Sequence, residues 1–220
     1  RLDITNSATS SAIITLRDPL GNVSVELRAG TSTLNNTFVG VSAGEVNTTG
    51  SANTALGYQA LLVNTTGVSN TAIGDQALFA NTTGNWNTAN GAFALNITTG
   101  TGNTANGLSA LIANTTGSFN TAVGFRAGRN VTTGYDNILI GHDADIGGSG
   151  SLTTGFNNIG MGYNIKFPAV SSSNMLNIGN FLFANLPATT TSTVIGNTPL
   201  TGQLGVGTSS PYAKLTIWGG

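Results

Sequence analysis

The residues able to do chemistry in this chain are few, and their spacing does not gather them. His142 is the single histidine and there is no cysteine. A zinc site of the usual kind needs more nitrogen or sulfur ligands than that, and no Ser/His/Asp set can be picked out around it. His142 is therefore read as a loop histidine. Asp143-Ala144-Asp145-Ile146-Gly147 opens like a calcium loop, D-x-D-x-G. The bidentate Glu expected at loop position twelve is missing, so a solvated turn is expected. Paired carboxylates for glycoside hydrolysis would have to come from Glu45, Asp75, Asp136, Asp143 and Asp145, and no spacing selects two of them. No G-x-x-x-x-G-K phosphate loop occurs. No catalytic, cofactor-binding or metal-ligating residue is assigned, no cofactor is expected, and the chain is read as a non-enzyme.

Two other groups of residues could make contacts rather than bonds. Trp86 and Phe119 fall at the same variable place, two residues after a Thr-Thr-Gly glycine. They could stack on sugars; packing between subunits is the favoured use. Asn47, Asn64, Asn81 and Asn114 begin Asn-Thr-Thr sequons, which are better explained as a corner of a repeat. Composition narrows the partners. Charged residues make up 7% of the 220, against about 25% in ordinary soluble proteins. With seven scattered Lys and Arg and a net charge of −1, the basic patch of a nucleic-acid binder is missing. No apolar run reaches the length of a membrane-spanning helix. The chain opens at Arg1 without a signal-peptide pattern, as expected of a processed chain or of a segment of a longer one.

What organises the chain is a repeat. Asn36, Asn53, Asn70, Asn87, Asn103, Asn120 and Asn137 follow one another at 17, 17, 17, 16, 17 and 17 residues. Gly57, Gly74 and Gly124, with their equivalents, stand four places after the asparagine. Ala60, Ala77 and Ala127 stand three further on, and Thr-Thr-Gly ends most units. The consensus is N-T-A-ψ-G-x-x-A-L-x-x-N-T-T-G-x-x, with ψ usually aliphatic. One residue is missing between Ala94 and Gly100, and the register recovers after it. Asn158 and Gly162 mark a further unit after a 21-residue step; Asn177-Ile178-Gly179 and Val194-Ile195-Gly196 read as eroded copies.

A unit this short suits one coil of a β-solenoid rather than a helical repeat or a propeller blade. Thr, Val, Ile and Leu supply short strands; Gly and Asn tolerate corners. Alternation along N-T-A-ψ-G puts Thr and ψ on one face and Asn and Ala on the other. The fold class expected is an all-β parallel solenoid, packed or intertwined as a homotrimer, because one coil holds few large side chains against its ordering entropy. Residues 1–33 read as an N-terminal hairpin segment, with Ala12–Arg17 and Val23–Arg28 flanking the turn Asp18–Asn22. Residues 34–165 read as the solenoid. Residues 166–220 read as degenerate repeats and a strand at Lys214–Trp218.

The units at Asn53–Leu61 and Asn70–Leu78 resemble head repeats of YadA-like trimeric adhesins. They are still more similar to repeats of phage tail fibres and bacterial surface fibres that end in an intramolecular chaperone. Gln203–Leu215 is similar to the segment that often precedes that chaperone. The resemblance covers roughly 34–165 and 203–218, and the compared adhesin heads use shorter coils. It implies a trimeric extracellular fibre on a cell surface or virion, touching a glycan or receptor.

The expected function is thus an extracellular fibre or adhesin segment that extends from a surface and mediates attachment, with itself as first partner. A filament polymerised head to tail, a tail-fibre receptor-binding or depolymerase segment, and an ice-binding solenoid using Thr54, Thr71, Thr88, Thr104 and Thr121 are the alternatives. One irregularity adds an expectation. Position ψ is aliphatic in five units but Asn90 and Asn106 in two adjacent ones. With ψ toward the interior, these two would form a buried polar layer that sets register; with ψ outward they would be solvated.

Overall fold

Alternation dictates the strand face. In Thr-Ala-ψ the middle residue is the smallest, and it is the one that points inward. The structure is a computed structural model that describes residues 13–17, 19–20, 23–29, 34–145, 153–180, 182–185 and 204–206. Strands β3 (Thr37–Val39), β4 (Thr54–Leu56), β5 (Thr71–Ile73), β6 (Thr88–Asn90), β7 (Thr104–Asn106), β8 (Thr121–Val123), β9 (Ile138–Ile140), β10 (Ile159–Met161) and β11 (Met175–Ile178) form nine parallel rungs. Each pairs with the next in strict register: Ala55 opposite Ala72, Ala72 opposite Ala89, Ala89 opposite Ala105. This is the β-solenoid of about 17-residue coils that the spacing predicts, without helix among the described residues.

Antiparallel strands stand at both ends. The hairpin of β1 (Ile13–Arg17) and β2 (Val23–Ala29) pairs Arg17 with Val23, and β2 then pairs with β3. At the other end β12 (Leu182–Asn185) pairs antiparallel with β11 and with β13 (Leu204–Val206). The expected strand at Lys214–Trp218 and the copy at Val194–Gly196 lie outside the described residues. The copy at Asn177–Gly179 is present and in phase. Ile178 takes the ψ place opposite Met161, so Asn177 takes the alanine place opposite Gly160.

Each coil interior is thin. Ala55, Ala60 and Leu61 fill it, with Asn53 and Asn64, all fully buried. The asparagines do two jobs at once. Asn70 Oδ1 accepts the backbone N–H of Asn87 in the next coil (3.0 Å), while its Nδ2 donates to the Gly84 carbonyl of its own coil (2.8 Å) and to Asn53 Oδ1 (3.1 Å). The same pattern recurs at Asn53, Asn103, Asn120 and Asn137. The column ends at Asn158, whose Oδ1 accepts from Met175 N.

The asparagine of Asn-Thr-Thr-Gly forms a second column. Asn64 Nδ2 donates to Gly67 O (3.1 Å) and to Asn47 Oδ1 (2.7 Å), and Asn81 repeats this one coil on. Two buried amides of one coil therefore converge on one glycine carbonyl: Asn53 and Asn64 on Gly67, Asn70 and Asn81 on Gly84. A Cβ on Gly67 would run into the Asn64 amide and the Gly84 carbonyl. That closeness, not backbone conformation, demands glycine there. At Gly57 both reasons apply: φ is +141°, and a Cβ would meet the Gly74 carbonyl.

The residue missing before Gly100 is absorbed at this second column. Thr98 moves into the asparagine place, donates its hydroxyl to Asn114 Oδ1 (2.9 Å) and accepts from Gly100 N (3.0 Å). The direction of donation reverses there, and Asn81 Oδ1 and Asn114 Nδ2 are left without partners.

Core volume is conserved by exchange within a coil. Phe38 replaces the strand alanine in the first rung, and Gly44 replaces the leucine; a Cβ on Gly44 would sit 2.5 Å from the Phe38 ring. Gly44 and Leu61 share the same left-handed backbone, φ 58° and 55°, so leucine is acceptable there. Phe38→Ala alone is expected to cost about 3–5 kcal/mol, and Gly44→Leu alone to destabilise by overpacking. The double variant should return to within about 1 kcal/mol of the parent, read from denaturant midpoints. Asn70→Ala should cost at least about 2 kcal/mol, since it leaves the Asn87 N–H and part of the Gly84 carbonyl unsatisfied. Asn70→Asp should fare no better, because a carboxylate cannot donate to that carbonyl.

Candidate functional site

With every interior position committed to packing or to hydrogen bonds, any function falls to the side chains that the coils turn outward. These fall into columns, one residue per coil. On the strand face, Thr37, Thr54, Thr71, Thr88, Thr104 and Thr121 stand in register, followed by Ile138 and Ile159. Their hydroxyls make no hydrogen bond among the described residues. The corner threonines differ: Thr48, Thr65, Thr99, Thr115 and Thr132 each donate to the backbone carbonyl of the next coil's threonine.

Beside the strand threonines runs the ψ column: half-buried Val39, then Leu56, Ile73, Asn90, Asn106, Val123, Ile140, Met161 and Ile178, these eight exposed. The buried polar layer expected of Asn90 and Asn106 is thus not present within the chain. The rungs put Ala89 and Ala105 inside, so their neighbours point out. The buried polar layers are the Asn53 and Asn64 columns instead. Asn53, Asn70 and Asn120 lie in the first of these; Ala60, Ala77 and Ala127 are core; Gly57, Gly74 and Gly124 line the close approach of adjacent coils.

Two adjoining columns on the returning wall, after the Ala-Leu pair, carry apolar residues in five successive coils. Val46 and Ile97 are exposed there, and Leu62, Val63, Phe79 and Ile112 are half-buried. Reading the positions after Ala-Leu as variable hid this stripe. Their shared apolarity was the available signal.

The corner after the ψ glycine carries Tyr58, Asp75, Ala92, Leu108, Phe125, His142 and Tyr163 in turn. Phe125, His142 and Tyr163 stack in series, with ring centroids 5.0 and 5.3 Å apart, and Arg126 lies 4.6 Å over Phe125. His142 is thus a rung of an aromatic stack, 3.6 Å from Asp143. Asp143 and Asp145 are buried rather than solvated, which corrects the expected turn. Asp145 occupies the column of Leu61, Leu78, Leu95 and Leu111, and so points into the coil. Ile146 and Gly147 lie outside the described residues. No three of His, Cys, Asp and Glu converge among the described residues. Glu45, Asp75 and Asp136 sit on three different edges of the coil. Asn64, Asn81 and Asn114 of the sequons are fully buried, their side chains engaged in the second column.

The third corner precedes the strand. Trp86 and Phe119 lie there in one column, two coils apart, 64% and 59% exposed, with Gly102 between them. In the adjoining column Tyr135 and Phe156 stack at 4.9 Å.

No helix among the described residues is long and apolar enough to cross a membrane. Comparison with protein-family models, curated proteins and solved structures yields no match, so the geometry carries the functional argument.

Outward placement of Asn90 and Asn106 has a direct check. Replacing both with leucine should shift the stability of the chain by no more than about 0.5 kcal/mol and leave hydrogen-exchange protection of Ala89 and Ala105 intact. Loss of that protection would return both side chains to the interior.

Proposed function

We propose that the chain is a rigid segment of an extracellular fibre that assembles with copies of itself and presents a surface for attachment. One observation carries this reading: apolar side chains line up in two strips on different walls of the solenoid. The ψ column supplies one, exposed at Leu56, Ile73, Val123, Ile140, Met161 and Ile178 and interrupted by Asn90 and Asn106; Val46, Val63 and Ile97, with half-buried Leu62, Phe79 and Ile112 in the adjoining column, supply the other. At the spacing of hydrogen-bonded strands the ψ strip extends over roughly 34 Å and the second over roughly 19 Å. Apolar side chains aligned over that extent favour an interaction site over scattered exposure.

Two unlike stripes favour a particular symmetry. A two-fold dimer pairs one patch with itself, whereas a ring joins one patch to a different one on the next copy. Three copies, each laying its ψ stripe on the returning wall of its neighbour, would cover both. The resemblance of residues 34–165 to trimeric fibre repeats points the same way. So does the shortage of charge, which leaves little to oppose side-by-side packing.

A second reading is favoured by the strand threonines. Six in-register hydroxyls free of internal partners, on a parallel sheet, are the ladder an ice-binding face requires. That face is the ψ face, so it cannot be covered by a neighbour and also bind ice. Thermal hysteresis at micromolar protein would favour this second reading.

The fibre reading predicts a native mass three times 22.1 kDa by light scattering or native mass spectrometry. Leu56→Asp with Ile73→Asp, or Phe79→Asp alone, should shift the species to monomer, since each buries a charge in an apolar contact. A parent chain that is monomeric at micromolar concentration and melts cooperatively would sink the assembly.

A further inference from the structure

We propose that the corner bearing Trp86 and Phe119 is a carbohydrate-binding platform, on which a neutral, equatorially linked polysaccharide lies along the solenoid axis. The backbone sets the platform up. Ala52, Ser69, Trp86, Gly102, Phe119 and Asp136 share one left-handed conformation, φ between 55° and 71°, and so project from the same corner. A Cβ on Gly102 would lie 2.6 and 2.8 Å from Cδ1 and Cε1 of Phe119. The Cδ1–Cε1 edge of the Phe119 ring therefore lies over the glycine, and the rest of the side chain is exposed.

Spacing and chemistry select the occupant. Trp86 and Phe119 are two rungs apart, ~9.6 Å along the axis, about the length of two joined pyranose rings. Apolar C–H faces of such sugars stack on aromatic rings, while their hydroxyls need polar neighbours. Asn85, Thr101 and Ser118 supply these in the adjoining column, already oriented: Asn85 Oδ1 accepts from Val68 N and Ser118 Oγ from Thr101 N. Asp136 is exposed on the rung beyond Phe119. Lys and Arg total seven in the whole chain, and none occurs in either column. An anionic glycan or a nucleic acid would find no counter-charge.

Area argues against a second copy of the chain. An aromatic side chain carries about 150–250 Å², so the two rings expose at most roughly 300 Å². A stable protein interface takes about 800 Å² from each partner. The corner also belongs to neither apolar stripe, so it stays open when copies pack. In that respect the inference rests on the attachment reading above.

The test is native affinity electrophoresis in gels containing hydroxyethyl cellulose or glucomannan, with α-linked dextran as comparator. The first two should retard the protein and dextran should not. Trp86→Ala and Phe119→Ala should each weaken retardation roughly tenfold, and the double variant should abolish it. Alanine is already present at Ala52 in this conformation, so melting should be unchanged. Gly102→Ala should weaken binding with both rings retained, because its Cβ lifts Phe119 from the surface. Absence of retardation by either β-linked polysaccharide, or undiminished retardation of the double variant, overturns the proposal. The dispersed Leu56→Asp/Ile73→Asp protein is run alongside. Retardation of both forms supports the platform; retardation of the dispersed form alone supports the platform and overturns the packing.

Discussion

The structure depends on one arrangement: a glycine carbonyl turned into the coil and bonded by the strand asparagine in seven successive coils, joined by the corner asparagine in the first three. Asn70 reaches Gly84 from the strand side and Asn81 reaches it from the corner side. Together they tie the two walls of a coil too thin to be held by its few apolar atoms. The same asparagines pass their remaining bonds to the coils above and below. A buried amide left unpaired would cost about 1–3 kcal/mol, so the network is satisfied only when every coil is in register. That explains why four positions stay in phase over seven units while the rest of each unit drifts.

Most of the architecture could be read from the chain because these four positions are the constrained ones. The Asn, Gly and Ala spacing yields the solenoid, its coil length and its strand face. Misplacements occurred where a position had no fixed chemistry. Asn90 and Asn106 looked like interior residues because an asparagine among aliphatics resembles a buried polar break. In fact the aliphatic ψ residues are themselves outside, and alternation from Ala89 and Ala105 decides their direction. The eroded copy at Asn177–Gly179, by contrast, keeps the ψ-glycine phase, with Ile178 opposite Met161 and Asn177 in the alanine place. The Phe38 and Gly44 exchange could not be seen in either residue alone. It exists only as a sum of volumes across the coil.

The candidate site was legible to a lesser degree for a related reason. Outward positions are free of the network, so the repeat averages them into variable places. Trp86 and Phe119 stood out because they are large, but the role of Gly102 appears only when the rungs are stacked. The apolar stripe on the returning wall was spread over positions that no consensus records. Acidic residues misled in the opposite sense. Asp143 and Asp145 suggested a wet turn, whereas the left-handed corners fold their side chains against the coil.

The short coil at Thr98 has a mechanical consequence. Before it the corner asparagines bond in one direction; at Thr98 the donor and acceptor change places, leaving Asn81 Oδ1 and Asn114 Nδ2 unmatched, and one coil on Val131 ends the column. In a rod pulled along its axis, tension is borne by the bonds between rungs. The side-chain load path through this corner runs from Asn47 to Asn81 and is broken beyond it. Rupture would begin beyond Asn81, separating a block that keeps both asparagine columns from one that keeps only the first. Such a seam acts as a fuse, setting in advance where an overloaded fibre parts.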